Sequence, residues 1–206
     1  MMLKETFATL LENYTADDLR KDKLWAEISG AYGASKRHYH TLAHLEHLLT
    51  QLTDLKQHIR NWDAVLFSLF YHDAIYDVLK SNNEQRSADL AKKRMTQLFV
   101  GIDTIAWTEK IILATASHSK ATDNDVNIFT DADLSILGQP WEVYELYARN
   151  VRKEYSIYPD AIYNHGRKKV LKHFLAMDSI FKTEYFAGRY EDRARQNLQR
   201  ELDLLQ

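Results

Sequence analysis

Apolar residues recur at spacings of three and four along nearly the whole chain, the period that lines up one face of an α-helix. The pattern predicts helices over 2–13, 17–31, 40–58, 62–77, 83–99, 103–118, 124–136, 141–156, 161–185 and 190–205. Asp17 and Asn83 read as N-caps, and Gly33, Gly101 and Gly138 sit where helices should stop. Pro140 and Pro159 fall in or beside connections. No repeat, low-complexity tract or linker interrupts the pattern. The expectation is a single compact all-α domain over residues 1–206.

Composition narrows this further. Six glycines and two prolines are too few for an all-β fold rich in tight turns. The absence of cysteine excludes disulfides, thiolate metal sites and cysteine nucleophiles. A formal net charge of -2 gives no basic excess for nucleic acid. No apolar run reaches the ~20 residues of a membrane span, and MMLKETFATLLENYTADD is a poor signal peptide. A cytoplasmic protein with no membrane or nucleic-acid partner is expected; a homo-oligomer is compatible with the sequence.

Three segments carry chemistry. The first is AVLFSLFYHDAIYD, residues 64–77, which is apolar all round and so reads as a buried helix. It holds His72 and Asp73 side by side. A buried carboxylate is costly unless paired or bound to a cation. A His–Asp hydrogen bond in the core would serve, and so would a shared metal ion; the dipeptide is common by chance. The second is YHTLAHLEH, residues 39–47. Its periodicity places His40 and His44 one turn apart on a helix face, while His47 reads as a surface residue. The alternative is a polar face where histidines cluster. The third is FTDADLSILGQPW, residues 129–141. Asp131 and Asp133 could be acids favoured at a helix start, but Asp133 lies between Ala132 and Leu134 and is expected to point inward. Imidazoles and carboxylates together suit a divalent ion such as Mn, Fe, Ni, Co, Mg or Zn.

These segments resemble the HD superfamily of metal-dependent phosphohydrolases. The similarity lies in RHYHTLAHL, FYHDAIYD, NNEQRSA, DADLSILG, RKEY and GRKKVL, from Arg37 to the end of the chain. It implies an HD-domain-like helical bundle with a metal-site core at about 37–140, the C-terminal helices 141–206 completing the pocket. It implies His44, His72, Asp73 and Asp133 as metal ligands for one or two ions. More distantly, Tyr39-His40…His44 and Asp133-Leu134-Ser135…Pro140-Trp141 are similar to cyclic-nucleotide phosphodiesterases. That likeness implies His40 as general acid and His44 as ligand. The phosphodiesterases have a further histidine where this chain has Tyr76, which weighs against a cyclic-nucleotide substrate and against two metals.

The implied reaction is cleavage of a small-molecule phosphoester by a metal-activated water. His40 would protonate the leaving group, and Asp73, or Asp77 beyond it, would take the proton from water. Arg37, Arg152 and Arg167 are candidate phosphate contacts, beside Lys168; for each the alternative is a solvated charged face. Asn83 and Glu84 are candidates for the pocket rim or for a helix start. His118 is a candidate phosphate or metal contact, or a histidine favoured at a helix C-terminus. Two other functions fit the same residues: an HD-type di-iron oxygenase, and a non-catalytic sensor that binds metal or nucleotide. A ferritin-like bundle does not fit, because no Glu-x-x-His occurs.

Overall fold

The structure is a computed structural model that describes residues 3–205. It is all-α: among the described residues there are ten α-helices, two short 3-10 helices and no strand. Met2, where the first predicted helix began, lies outside the described residues. No helix is long and apolar enough to cross a membrane. The chain's own contacts divide it into two compact units, Met1–Thr130 and Asp131–Gln206.

The first unit contains α1 (Leu3–Glu12), α2 (Asp18–Tyr32), α3 (Leu42–Asp54), α4 (Trp62–Tyr71), α5 (Asn83–Gln97) and α6 (Ile102–Ala114). It also holds the first seven residues of α7 (Asn124–Leu134), which runs unbroken across the boundary. The hub is α4, buried from Ala64 through Tyr71, as its uniform apolarity demands. Phe70 meets Phe7 of α1 edge-on at 4.6 Å between ring centroids. The start of α4 is held from α7. The carboxylate of Asp125 accepts the backbone N–H of Arg60 and of Asn61, and the Asn61 side chain accepts the N–H of Ala64.

The predicted helix over 62–77 ends at Tyr71 instead. The apolar pattern continues through Ala74 and Ile75, but other side chains claim the backbone that a helix would have used. Tyr32 Oη accepts the N–H of Asp73 at 3.2 Å. Ser87 Oγ accepts the N–H of Ile75 and donates to its carbonyl. Asn83 accepts the N–H of Asp77 and donates to its carbonyl. His72 therefore caps α4, and Asp73 lies in the turn beyond it.

A similar shift affects the helix predicted over 40–58, which runs only from Leu42 to Asp54. Thr41 is its N-cap, and His40 precedes it in a loop. His40 and His44 are thus not neighbours on one helical face. Asp17 caps α2 as expected, accepting the N–H of Arg20, and Gly33 ends it. Asn82, not Asn83, is the N-cap of α5, and Gly101 starts α6 rather than stopping α5.

The second unit contains α8 (Trp141–Glu154), α9 (Asp160–Leu175) and α10 (Glu184–Leu204), preceded by a 3-10 turn, Ser135–Gly138. Its core includes Leu137, Tyr144, Leu171, Phe181, Phe186 and Leu198. The helix predicted over 161–185 stops at Leu175, and the next starts at Glu184 rather than at 190. Two carboxylates, Asp131 buried and Glu191 half-buried, shape the loop between them. Glu191 accepts the N–H groups of Ile180 and Phe181. Asp131 accepts those of Lys182 and Thr183 and the Thr183 hydroxyl, which anchors the residues that lead into α10.

Candidate metal centre

Two helix ends of the first unit bring a histidine pair together. His44 lies in the first turn of α3 and His72 caps α4; their relative exposures are 4% and 1%. Their Nε2 atoms are 3.2 Å apart. His72 Nδ1 is 3.1 Å from the carbonyl oxygen of Leu69. A carbonyl can only accept, so Nδ1 carries the proton and Nε2 of the neutral ring presents a lone pair. Tethering of the distal nitrogen is the usual support of a metal-binding imidazole. Two nitrogens bound to one ion at about 2.0–2.1 Å, at angles between octahedral and tetrahedral, stand roughly 2.9–3.4 Å apart. The pair has that spacing, and it could hold a metal ion. A hydrogen bond from a protonated His44 Nε2 would give the same distance.

Asp73 joins this pair to His40. Its Oδ2 is 3.2 Å from His72 Nε2 and 3.9 Å from His40 Nε2. Asp73 and His40 are half-buried, so both are reachable from solvent. The His40 ring packs on Tyr76 with centroids 4.1 Å apart and planes inclined by 31°. Tyr39 packs against both His40 and His44. Tyr76 thus takes up a face of the proposed acid. Phe129, on α7, meets His72 edge-on at 5.7 Å. Asp133 lies four residues further along α7, in its last turn, and is half-buried.

The remaining candidates have structural partners. Arg37 donates to the backbone carbonyls of His40, Asp73 and Ala74. Asp77 Oδ1 accepts the N–H of Leu79, and Asn83 closes the loop on Asp77. Glu84 is half-buried in the first turn of α5. His118 lies past the end of α6 with φ at 50°, its N–H bonded to the carbonyl of Ala114. In the second unit, Arg152 binds Asp160 and the carbonyls of Tyr155 and Tyr158. Arg167 makes a buried two-pronged pair with Glu201 at 2.7 and 2.8 Å, and Tyr144 donates to the same carboxylate.

Sequence reasoning read Asp131 only as an acid favoured at a helix start and passed over its role; it is fully buried two residues before Asp133. Lys182 Nζ is 3.3 Å from it. Burial pushes the Asp131 carboxyl up and the Lys182 ammonium down from their ordinary values, against the attraction between them. Nothing in the DAD triplet distinguishes this loop-anchoring aspartate from a metal ligand. Tyr32 and Ser87 were also passed over; each bonds the Asp73–Ile75 backbone from another helix, and lone Tyr and Ser residues carry no local signal of that.

The fold and this site define an all-α protein with a buried histidine pair suited to a metal ion. No protein-family model matches the chain, and no curated protein or solved structure matches it.

Proposed function

We propose that this chain is a metal-dependent phosphohydrolase of the HD type, acting in the cytoplasm on a small-molecule phosphoester. One observation carries the reading: the Nε2 atoms of His44 and His72 converge, with the far nitrogen of His72 tethered, beside an Asp73 that also approaches His40. The motif order His, His-Asp, Asp supports it, since it matches the HD pattern along the chain. In this reading His44 and His72 hold the ion, with Asp73 at its edge. When bound, a divalent ion supplies a Lewis acid that acidifies water and offsets phosphoryl charge. His40, with its Nε2 3.9 Å from Asp73, gives its Nε2 proton to the leaving oxygen. Asp73 takes the proton of the attacking water. It is preferred to Asp77, whose Oδ1 accepts the N–H of Leu79.

The test is metal content by mass spectrometry after purification without chelator, wild type beside His72→Ala. Hydrolysis of p-nitrophenyl phosphate and its bis ester follows, under added Mn²⁺, Fe²⁺, Ni²⁺ or Zn²⁺. Near-stoichiometric metal lost in His72→Ala, with metal-dependent turnover, is the expected result. Chelator-stripped protein that takes up none of these ions would overturn it. Metal without turnover would leave a sensor, and two irons per chain would point to the oxygenase.

A further inference from the structure

We infer that Arg37 is a positioning residue for His40 and Asp73: a guanidinium clamp between the loop that carries the acid and the turn that carries the carboxylate. The inference deepens the phosphohydrolase reading and rests on it for the role of His40.

Arg37 Nη1 donates to the carbonyl of Asp73 at 2.7 Å and to that of His40 at 3.3 Å, and Nη2 donates to Ala74 at 3.1 Å. One side chain therefore joins the two backbone segments on which the proposed proton transfer depends. Its guanidinium carbon lies 4.9 Å from the ring centre of Tyr32 and 5.5 Å from that of Tyr76. Both rings take part in the same construction. The Tyr32 hydroxyl accepts the N–H of Asp73, and Tyr76 packs on His40. The carbonyls of Asp73 and Ala74 follow the C-terminal end of α4, where the helix dipole favours a cation. A planar fork can serve three carbonyls while its faces meet aromatic rings, and a lysine ammonium cannot. The sequence expectation for Arg37 was a phosphate contact, but three of its Nη–H bonds go to backbone oxygens.

The experiment compares wild type with Arg37→Lys in the full chain loaded with Mn²⁺. The substrates are phenyl phosphate, a poor leaving group, and p-nitrophenyl phosphate, a good one. Loss of acid positioning lowers kcat on phenyl phosphate roughly tenfold or more and on p-nitrophenyl phosphate much less. KM and inhibition by inorganic phosphate stay unchanged. A raised KM and weakened phosphate inhibition on both substrates alike would make Arg37 a phosphate ligand and overturn the clamp.

A second readout needs no turnover. With ¹⁵N-labelled histidine, the His40 ring signals, identified by their loss in His40→Gln, shift in Arg37→Lys while those of exposed His165 do not. Unmoved His40 signals overturn the clamp. Shifted signals in a protein that hydrolyses neither ester keep the clamp and sink the phosphohydrolase reading. If Arg37→Lys fails to fold by circular dichroism, Arg37→Gln, with a smaller planar donor group, takes its place in both measurements.

Discussion

His40 and His44 are four residues apart and do different things. His44 is buried with its Nε2 against His72, while His40 sits in the loop before α3, half-exposed beside Asp73. Substituting them should therefore separate binding from turnover. His40→Ala keeps the metal content of wild type and loses about 10²–10⁴-fold in turnover on a poor leaving group. Full activity on phenyl phosphate would remove His40 from the role of acid. At the opposite extreme of burial, Phe99 holds φ at 58° and is 89% exposed. It follows α5 in a left-handed closing turn, with the N–H of Val100 bonded to the carbonyl of Met95. A bulky aromatic residue is strained there, and glycine is not. Phe99→Gly should raise stability by about 0.5–1 kcal/mol, after the greater freedom of glycine in the unfolded chain is set against the relief of strain. Denaturant unfolding measures it, and an unchanged or lowered midpoint would show that Phe99 makes contacts worth more than its strain.

At the scale of elements, the hydrophobic period gave helices in the right order and most of their starts, because burial of an apolar face is a local property of sequence. The misplaced ends share a cause. After Tyr71, and again between Leu175 and Glu184, the backbone bonds polar side chains of other elements: Tyr32 and Asp131 from far along the chain, and Asn83, Glu191 and Ser87 from nearer by. The hydrophobic period carries no signal for such polar bonds. The same limit explains why the donors His44 and His72 could be named from motifs, while the loop position of His40 and the carbonyl bonds of Arg37 could not. Ser87 tests the point. It is fully buried and bonds both the N–H and the carbonyl of Ile75. Ser87→Ala should cost about 1–3 kcal/mol by leaving those groups unmet. It should also weaken metal binding through the turn that carries Asp73, which titration with Mn²⁺ reads directly. A stability loss without any change in affinity would separate the turn from the site.

Across the whole molecule, each unit carries its own apolar core, and each spends buried charge differently. The second unit encloses the Arg167–Glu201 pair, supported by Tyr144 and Tyr147. Breaking one partner of such a pair is far more damaging than its presence is stabilising. Arg167→Met should cost about 3–5 kcal/mol in denaturant unfolding. A cost under 1 kcal/mol would mean that Glu201 finds another partner. The first unit brings two imidazole nitrogens within 3.2 Å of each other, so a metal ion that binds only the folded state should stabilise it. Saturation at 100 times Kd adds about 2.7 kcal/mol, seen as a rise in Tm that chelator reverses and His72→Ala abolishes.

The turn after α4 also fixes an order of events in time. One backbone bond of its own, from the N–H of Ala74 to the carbonyl of Tyr71, is joined by bonds from elsewhere; Tyr32 comes from α2, Ser87 and Asn83 from α5, and Arg37 from the loop before α3. Helices form in about a microsecond or less, whereas contacts between distant segments wait on loop closure and docking. During refolding the chain should therefore recover its helical signal before it can bind an ion, with a lag set by the docking of α2 and α5. Metal capture becomes a clock for the last stage of folding, started only when four separate stretches of chain have met.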